Sequence, residues 1–534
     1  MTTLPSGLPV VVDRAGAAPL AVQISAQLLE AVVGGALRAG DRLPSSRDLA
    51  TTLGVSRTVV TNAYARLFAE GWLEGRHGSG TYVADVSQPA VKHGPGSAPV
   101  DVESDPERYS VAPNRPITLP YSPVAPGLID LQPGISWAEG IEPAVWRRAW
   151  REAGRHLPSR WPDPYGLPEL REEIAAYLRR SRGLAVTPAQ VLVTQGVSNG
   201  LALLADALLT PGDKVGVEEP GFATGRAVLR RAGARIVSCP VDAHGILPEG
   251  LPGDLKLLHT TPAHQYPLGG RLPVSRRQAL IAWARATGAL VVEDDYDSEF
   301  RYDVGPLPTL YSMDPEVIVY LGTASKVLAT AFGVGWLVAP PALVGRLADV
   351  RPLLGIRLPE PVQHAMLALL RSGDLERHVR KMRLEYARRR AALVSVLTHG
   401  DHADGDHADG DHADGDHAHG DHAHEGQAHE GQAHEGQADP DRDTAGRRPA
   451  PGQTPFRLLG DTAGMHLVLE LPAEYPAARL VAAAAARGVA IYPLDRYFVG
   501  PPTLNGVILG YGTATLSQVR RAAAQLADLL TSFP

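Results

Sequence analysis

One lysine of this chain stands between two stretches that both have the pattern of buried strands. Val317–Leu321 is a short apolar run, and a second apolar run covers Gly335–Ala339. Between them the motif GTASK ends in Lys326. Because an ammonium group is costly to bury, Lys326 either reaches solvent from a loop or acts as an amine that burial deprotonates. In the second case it can form a Schiff base with an aldehyde.

A second stretch upstream supplies partners for such a lysine. The sequence ALVVEDDYD at Ala289–Asp297 is a buried-looking strand that runs directly into carboxylates and a tyrosine. Pyridoxal phosphate needs an anion at its ring nitrogen, a donor at its phenolic oxygen and a lysine for its aldehyde. Asp294, Tyr296 and Lys326 offer these three groups at strand ends, where open α/β sheets bind their ligands. The two stretches therefore predict a pyridoxal phosphate site.

The motif EDDYDSEFRY at Glu293–Tyr302, taken with GTASK, resembles the aminotransferase half of the MocR regulators of the GntR superfamily. The resemblance extends over residues 15–84 and 115–530, apart from one insert. It implies a multidomain chain, in which an N-terminal winged helix-turn-helix precedes an α/β fold-type I aminotransferase-like domain. That domain would have a mostly parallel sheet, with large and small subdomains. The implied function is transcription regulation by a homodimer that binds a double-stranded DNA operator and senses pyridoxal phosphate or a small amine.

Further cofactor contacts follow from local pattern and resemblance together. The strand Val191–Thr194 turns through glycine into a helix, which is either an anion site of backbone amides or an ordinary strand-to-helix turn. Phe222, which follows the next predicted strand at Val215–Val217, could stack on a pyridine ring or pack in the core. With the resemblance counted, the expected contacts are Val197, Ser198, Phe222, Thr323 and Ser325.

The N-terminal region has the pattern of a compact DNA-binding module. Helices are predicted at Leu20–Val33, from about Arg47 to about Leu53, and at Arg57–Glu70, followed by a hairpin whose tip is residues 75–79. In a helix-turn-helix the second helix lies in the major groove, with its N-terminal residues on base edges. The candidate DNA contacts are Arg47, Ser56, Arg57, Thr58, Thr61, Arg76 and His77.

Composition alone does not indicate nucleic-acid binding, since the net charge is −7 and the first 86 residues balance arginine against acidic residues. The alternative for the module is a charged, solvated face. The order LPSSRDLA, LGVSR, GWL and HGSGTYV is, however, similar to GntR-type winged helices throughout. DNA contact is therefore the favoured interpretation.

The cysteine content and the hydrophobic pattern indicate the cellular compartment, and changes in composition indicate the domain boundaries. Cys239 is the single cysteine of the 534 residues, which fits a reducing compartment. No apolar run has the length of a membrane helix and no signal peptide is evident, so a cytoplasmic protein with no membrane partner is expected. The expected segments are a DNA-binding domain at 15–84, a flexible linker at 85–115, a large cofactor-binding domain at 116–340, and a small domain at 341–398 and 450–534.

The small domain is interrupted by an insert at residues 399–449. Most of it is a tandem repeat, HADGD and then AHEGQ, without an apolar face, so it is expected to be disordered. Histidine-rich tracts can bind Zn²⁺ or Ni²⁺. A neutral repeat expansion in a surface loop is the preferred interpretation, and no metal site is predicted.

Three positions depart from the pattern of the family that the chain resembles. Gly333 stands where an arginine usually helps to hold the phosphate, and Trp161 where a tyrosine usually reaches the neighbouring subunit's phosphate. Ile508 stands where an arginine usually binds a substrate carboxylate, for which Arg226 or Arg496 could substitute. Three functions remain open: a regulator that senses the cofactor or an amine, a working aminotransferase with an appended DNA-binding domain, and a regulator whose aminotransferase half only dimerises.

Overall fold

The structure is a computed structural model that describes residues 10–16, 18–76, 80–85, 124–302, 308–399, 456–460 and 463–532. The chain divides into two compact units, Met1–Thr118 and Leu119–Pro534. His77, the predicted linker from residue 86 onward and the repeat insert from residue 400 onward lie outside the described residues. Among the residues described, no helix has both the length and the apolar character needed to cross a membrane.

The first unit is a three-helix module with a small antiparallel sheet. Its elements are α1 Leu20–Val33, β1 Arg42–Leu43, α2 Ser46–Leu53, α3 Arg57–Ala69, β2 Leu73–Arg76 and β3 Gly80–Val83. Ser45 caps α2 by accepting a hydrogen bond from the Asp48 amide at 3.2 Å, and Gly54 ends the helix with a φ of 62°. The predicted helices and hairpin are confirmed, and β1, which the sequence analysis missed, extends the sheet in the order β1-β3-β2.

The second unit holds the remaining elements. They are β4 Ile129–Asp130, α4 Pro143–Ala153, α5 Pro168–Arg182, β5 Val191–Thr194, α6 Val197–Leu208, β6 Lys214–Glu219, α7 Ala223–Arg231, β7 Arg235–Asp242, β8 Gly245–Ile246, β9 Leu257–Thr260, α8 Val274–Thr287, β10 Leu290–Asp295, α9 Leu310–Met313, β11 Ile318–Thr323, β12 Gly335–Val338, α10 Pro341–Leu353, α11 Glu360–Arg371, α12 Asp374–His399, β13 Arg457–Leu459, β14 His466–Glu470, α13 Ala477–Ala486, β15 Val489–Ala490, β16 Tyr492–Pro493, β17 Gly506–Gly510 and α14 Leu516–Ser532.

The centre of this unit is an eight-stranded sheet in the order β5-β12-β11-β10-β9-β6-β7-β8. Neighbours from β11 to β7 are parallel, whereas β12 is antiparallel to both β11 and β5. The predicted, mostly parallel sheet is therefore confirmed, with β12 and the short β8 reversed. β10 and β11 are buried almost throughout, which explains why both appear as unbroken apolar runs in the sequence.

A second sheet, in the order β13-β14-β17-β16, lies in the C-terminal part of the unit. The strand β4, Ile129–Asp130, falls within the segment expected for the large domain, and it pairs in parallel with β15, from Val489. The chain after β4 stays beside this region, since the Gly510 amide donates to the Leu131 carbonyl at 2.8 Å. This pairing places residues 131–135 close to Lys326.

A buried ionic cluster joins α5 to the end of β10. Arg182 lies between the carboxylates of Asp295 at 2.8 Å and Glu299 at 3.0 Å, and all three side chains are buried. The hydroxyl of Tyr320 donates to Asp295 at 2.6 Å, and that of Tyr177 donates to Glu299 at 2.9 Å. Arg182 is therefore a cation that contacts both carboxylates, and each carboxylate also accepts a hydrogen bond from a tyrosine hydroxyl.

We expect Arg182→Leu to lower the free energy of unfolding of the larger unit by about 3–5 kcal/mol, because two buried carboxylates lose the cation that they share. The matched control is Arg180→Leu on the same helix. Arg180 is half-exposed in its pair with Glu376, and its loss should cost about 1 kcal/mol or less. Denaturant unfolding followed by circular dichroism makes the comparison, and equal losses for the two variants would contradict it.

Candidate functional site

Lys326 is half-buried and lies three residues beyond β11, in a loop that contacts the segment after β4. Its Nζ donates a hydrogen bond to the Gly134 carbonyl. Gly134 has a φ of 74°, and a Cβ built on it would lie 3.3 Å from Nζ, so a larger residue here would crowd the amine. The Ser136 hydroxyl donates to the carbonyls of Ser325 and Leu328 at 3.0 Å each. The segment after β4 thus positions the lysine.

Asp294 lies near the end of β10 and is almost fully buried. Its Oδ2 is 3.1 Å from His259 Nε2 on β9. Its Oδ1 is also buried and has no hydrogen-bond partner in the part of the chain that the structure describes. Burial raises the pKa of Asp294 above its usual value, although the hydrogen bond from His259 and the charge of that ring act in the opposite direction. One oxygen of this carboxylate is therefore left to accept from another molecule.

Tyr296 follows β10 directly and its hydroxyl lies 2.8 Å from His264 Nδ1. The same nitrogen is 2.9 Å from Asp297 Oδ2. Burial first, and then the charge of Asp297, raises the pKa of Tyr296 well above its usual value, so the hydroxyl keeps its proton. Tyr296 is accordingly a hydrogen-bond donor at the edge of the site.

The turn that was predicted as a candidate anion site connects β5 to α6. Gly196 has a φ of 105° and precedes Val197 and Ser198, whose amides open the helix and have no acceptor within it. A Cβ built on Gly196 would lie 3.6 Å from Thr323 Oγ1 and 3.8 Å from Ser325 Oγ. The structure therefore brings these four candidate residues together, with two hydroxyl groups facing a helix N-terminus.

Two aromatic residues border the same region. Phe222, at the start of α7, has its ring centroid 6.2 Å from that of His259 and 6.3 Å from that of Tyr266. It also packs against the hydrophobic core, so both predicted roles of Phe222 are compatible with its position. The Tyr266 hydroxyl donates to the Tyr497 hydroxyl at 3.1 Å, which adds two polar groups that the sequence analysis did not single out.

The three unusual positions have different surroundings. Ile508 is completely buried on β17 in an apolar cluster with Val468 and Phe498. Gly333 has a φ of 61°, and apart from its chain neighbours no atom of the described residues lies within 4 Å of its Cβ position. Trp161 is largely exposed.

Arg226, which the sequence analysis had offered as a substitute carboxylate ligand, is engaged elsewhere. Its guanidinium donates to the backbone carbonyls of Tyr497 and Phe498 at 3.0 and 3.1 Å, and to that of Arg496 at 3.4 Å. Burial lowers the pKa of this guanidinium. Arg226 therefore stabilises the turn at residues 495–498. The guanidinium carbon of Arg496, the other candidate, lies 5.7 Å from the centre of the Tyr497 ring.

Sequence reasoning found the residues at strand ends and missed their partners. His259 lies 35 positions before Asp294, and Gly134 lies 192 positions before Lys326. For His264 and Tyr266, the available signal was the motif AHQYPLG, which contains both residues and follows the strand that carries His259.

The predicted DNA-contacting residues that the structure describes lie on or beside α2, α3 and β2. Arg47, Ser56, Arg57, Thr58 and Thr61 are all exposed. Arg57 Nε donates to Ser46 Oγ at 3.3 Å, so the N-terminal ends of α2 and α3 lie side by side. Ser56 occupies the N-cap position of α3 but makes no capping bond through its side chain. Arg76 ends β2, and His77 lies beyond the described residues.

Comparison with protein families matches both units. Residues 20–83 match the gntR family of bacterial regulatory proteins, and residues 138–410 match aminotransferase class I and II, a family that depends on pyridoxal phosphate. Among solved structures, an archaeal alanine:glyoxylate aminotransferase superposes with a TM-score of 0.62 at 24% identity, covering 76% of this chain and 91% of its own. An aspartate aminotransferase from Thermus thermophilus superposes with a TM-score of 0.59 at 22% identity, covering 75% and 96%. These structures show the fold of the second unit.

Fold and site together define a DNA-binding regulator that carries an aminotransferase-like domain. The pyridoxine biosynthesis transcriptional regulator PdxR of Corynebacterium glutamicum is 33% identical over 98% of this chain and 99% of its own length. A protein of Rhizobium meliloti named probable rhizopine catabolism regulatory protein MocR is 33% identical over 72% of this chain and 78% of its own length. TauR of Rhodobacter capsulatus is 34% identical over 72% and 80%. The chain belongs to the MocR group of GntR-type helix-turn-helix transcription regulators.

We expect Arg57→Ala to weaken binding to the specific operator by about 1–3 kcal/mol if the guanidinium contacts a guanine with both nitrogens. If Arg57 contacts only phosphate, the loss should be similar on all sequences and the salt dependence shallower. Arg66→Ala, at the other end of α3 where Arg66 pairs with Glu70, is the control and should change little. Unchanged affinity of the Arg57 variant for every DNA would remove Arg57 from the interface.

Proposed function

We propose that this protein is a homodimeric transcription regulator whose second unit binds pyridoxal phosphate through Lys326 and reports its presence to the DNA-binding unit. The observation that carries the proposal is the buried Oδ1 of Asp294, an acceptor without a partner among the described residues. A pyridinium N–H is the kind of donor that such an oxygen requires. The domain boundaries given from the sequence are part of this proposal.

The residues present fit the chemistry of that cofactor. Asp294 would accept from the ring nitrogen, Tyr296 would donate to the phenolic oxygen, and Lys326 would provide the amine for the aldehyde. The phosphate would meet the amides of Val197 and Ser198, together with the hydroxyls of Thr323 and Ser325. When bound, the cofactor supplies an electrophilic carbon that reacts reversibly with primary amines.

Pyridoxal phosphate itself is the effector that the surroundings favour over an amino acid. A neutral aliphatic side chain, Ile508, stands in the position expected of a carboxylate ligand, and Arg226 already binds three carbonyls. Gly333 leaves the phosphate with backbone amides and hydroxyls in place of a guanidinium. A cofactor held without that cation would exchange with the free pool, so its occupancy could follow its concentration and shift a conformational equilibrium. The name of the Corynebacterium relative, a regulator of pyridoxine biosynthesis, agrees with this choice.

The two competing functions each lack a supporting contact. A working aminotransferase must hold an amino acid with its Cα–H perpendicular to the ring, and an arginine paired with the carboxylate is the usual means. A scaffold used only for dimerisation would have no need of an unpartnered buried carboxylate oxygen, which costs about 1–3 kcal/mol. The sensor function accounts for the retained Asp294 and for the altered anchors together.

We expect the purified protein to acquire a visible absorption band on addition of pyridoxal phosphate, and Lys326→Ala to abolish that band. The matched control is Lys381→Ala. Lys381 likewise donates to a backbone carbonyl, that of Gly140, but it lies on α12. In both the wild type and the control, operator affinity should differ between measurements with and without the cofactor. An unchanged band in Lys326→Ala would refute the assignment of the lysine.

We also expect no efficient transamination. The cofactor-loaded protein would be offered a panel of amino acids with 2-oxoglutarate or pyruvate, and formation of the new amino acid would be followed. Single, slow half-reactions are compatible with a sensor, because the cofactor chemistry is retained. Multiple turnovers at about 1 s⁻¹ or faster, the lower end of ordinary enzymes, would favour the aminotransferase instead.

A further inference from the structure

We propose that His264 and Asp297 form a dyad that directs the hydroxyl proton of Tyr296 into the ligand site. His264 is thereby a positioning residue: it acts through Tyr296. The proposal rests on the function argued above in one respect only, namely that the acceptor of this proton is the phenolic oxygen of pyridoxal phosphate. The state of the dyad itself does not depend on the identity of the ligand.

The argument begins with one nitrogen that lies within hydrogen-bonding distance of two oxygens. His264 Nδ1 is 2.9 Å from Asp297 Oδ2 and 2.8 Å from the hydroxyl oxygen of Tyr296. A ring nitrogen of neutral histidine is either a donor or an acceptor, whereas an ionised carboxylate can only accept. If Nδ1 presented its lone pair to Asp297, two electron pairs would face each other in a buried place. Nδ1 must therefore carry the hydrogen.

The other ring nitrogen supports the same tautomer. His264 Nε2 is buried and has no hydrogen-bond partner among the residues described. A hydrogen on Nε2 would therefore be an unpaired buried donor, and it would leave Nδ1 as an acceptor against the carboxylate. The arrangement that satisfies most groups is Nδ1–H shared between Asp297 and the oxygen of Tyr296.

This tautomer determines where the proton of Tyr296 can point. A nitrogen that already bears hydrogen cannot accept, so the hydroxyl of Tyr296 accepts from the ring and must turn its own proton elsewhere. The hydroxyl stays protonated, because burial and the charge of Asp297 raise its pKa. The structure thus makes Tyr296 a fixed donor, whereas a tyrosine with a free rotor would share its proton among several acceptors.

A glycine of the C-terminal region keeps the dyad in place. A Cβ built on Gly464 would lie 2.6 Å from His264 Nδ1 and 2.7 Å from Asp297 Oδ2, and the φ of 78° itself favours glycine. The Gly464 carbonyl accepts from Tyr302 at 2.6 Å and from Tyr511 at 2.7 Å, while its amide donates to the Phe300 carbonyl at 2.7 Å. The direction of the Tyr296 proton is therefore linked to the position of the segment that precedes β14.

The first experiment needs no cofactor. Nuclear magnetic resonance of the protein labelled with ¹⁵N-histidine distinguishes Nδ1–H from Nε2–H, and the His264 signals are assigned by their absence in His264→Phe. We expect Nδ1–H in the wild type. In Asp297→Asn the side-chain amide can donate to the ring, so the proton should move to Nε2. An Nε2–H tautomer in the wild type would overturn the proposal.

The second experiment follows the visible band of the cofactor-loaded protein as a function of pH. In the loaded protein, the hydrogen bond from Tyr296 would stabilise the phenolate of the cofactor. Without that hydrogen bond, more negative charge would remain on the phenolic oxygen, so the nearby Schiff-base nitrogen would keep its proton to a higher pH. The pH midpoint of the band should therefore rise by about one unit in Asp297→Asn, and in His264→Phe, where Tyr296 is free to donate to Asp297. His364→Asn, at a half-buried ring that stacks on the exposed His156, is the control and should leave the midpoint unchanged.

A double-mutant cycle separates positioning from general packing. In a Tyr296→Phe background, adding Asp297→Asn should cause no further shift of the midpoint, because the proton that the dyad directs is gone. Equal shifts with and without the Tyr296 hydroxyl would reduce the dyad to a packing role. If the wild type shows no visible band at all, the proposed function fails, while the resonance measurement still decides whether the dyad exists.

Discussion

Three consecutive buried carboxylates at the end of β10 are the constraint around which the site is built. Glu293, Asp294 and Asp295 alternate between the two faces of the sheet, and each needs its own compensation because burial disfavours an ionised carboxylate. The amides of Leu310 and Tyr311 donate to Glu293 at 3.0 and 2.9 Å. Even so, burial raises the pKa of Glu293 to about 7.

The compensation of the other two carboxylates differs in kind, and the difference separates structure from function. Asp295 is bound by Arg182 and by the Tyr320 hydroxyl, which locks α5 and β11 to the end of β10. Asp294 receives only His259 and keeps one oxygen without a partner in the described chain. A neighbouring pair of acidic residues thus contains one that anchors the fold and one that remains available to a ligand.

The C-terminal region contributes contacts to this site. Gly464 fits closely against His264 and Asp297, and β17 places Ile508 in an apolar cluster near Tyr266 and Tyr497. The groups suited to the ring of a cofactor therefore come from the central sheet, while the position expected of a carboxylate ligand lies on the second sheet and is apolar. This division is consistent with the proposed function, a regulator that binds the cofactor and does not need to hold an amino acid.

The sequence by itself determined the local features: the buried strands before Asp294 and Lys326, and the helices of the first unit. Apolar runs and capping residues are short-range signals, and so these predictions needed no knowledge of the rest of the chain. The partners were decided by tertiary structure alone. Sheet order sets His259 beside Asp294, and the pairing of β4 with β15 brings Gly134 to Lys326. Gly464 packs against His264, which lies 200 residues earlier in the chain. This contact could not be predicted, because a close backbone approach leaves no pattern in the sequence other than a glycine.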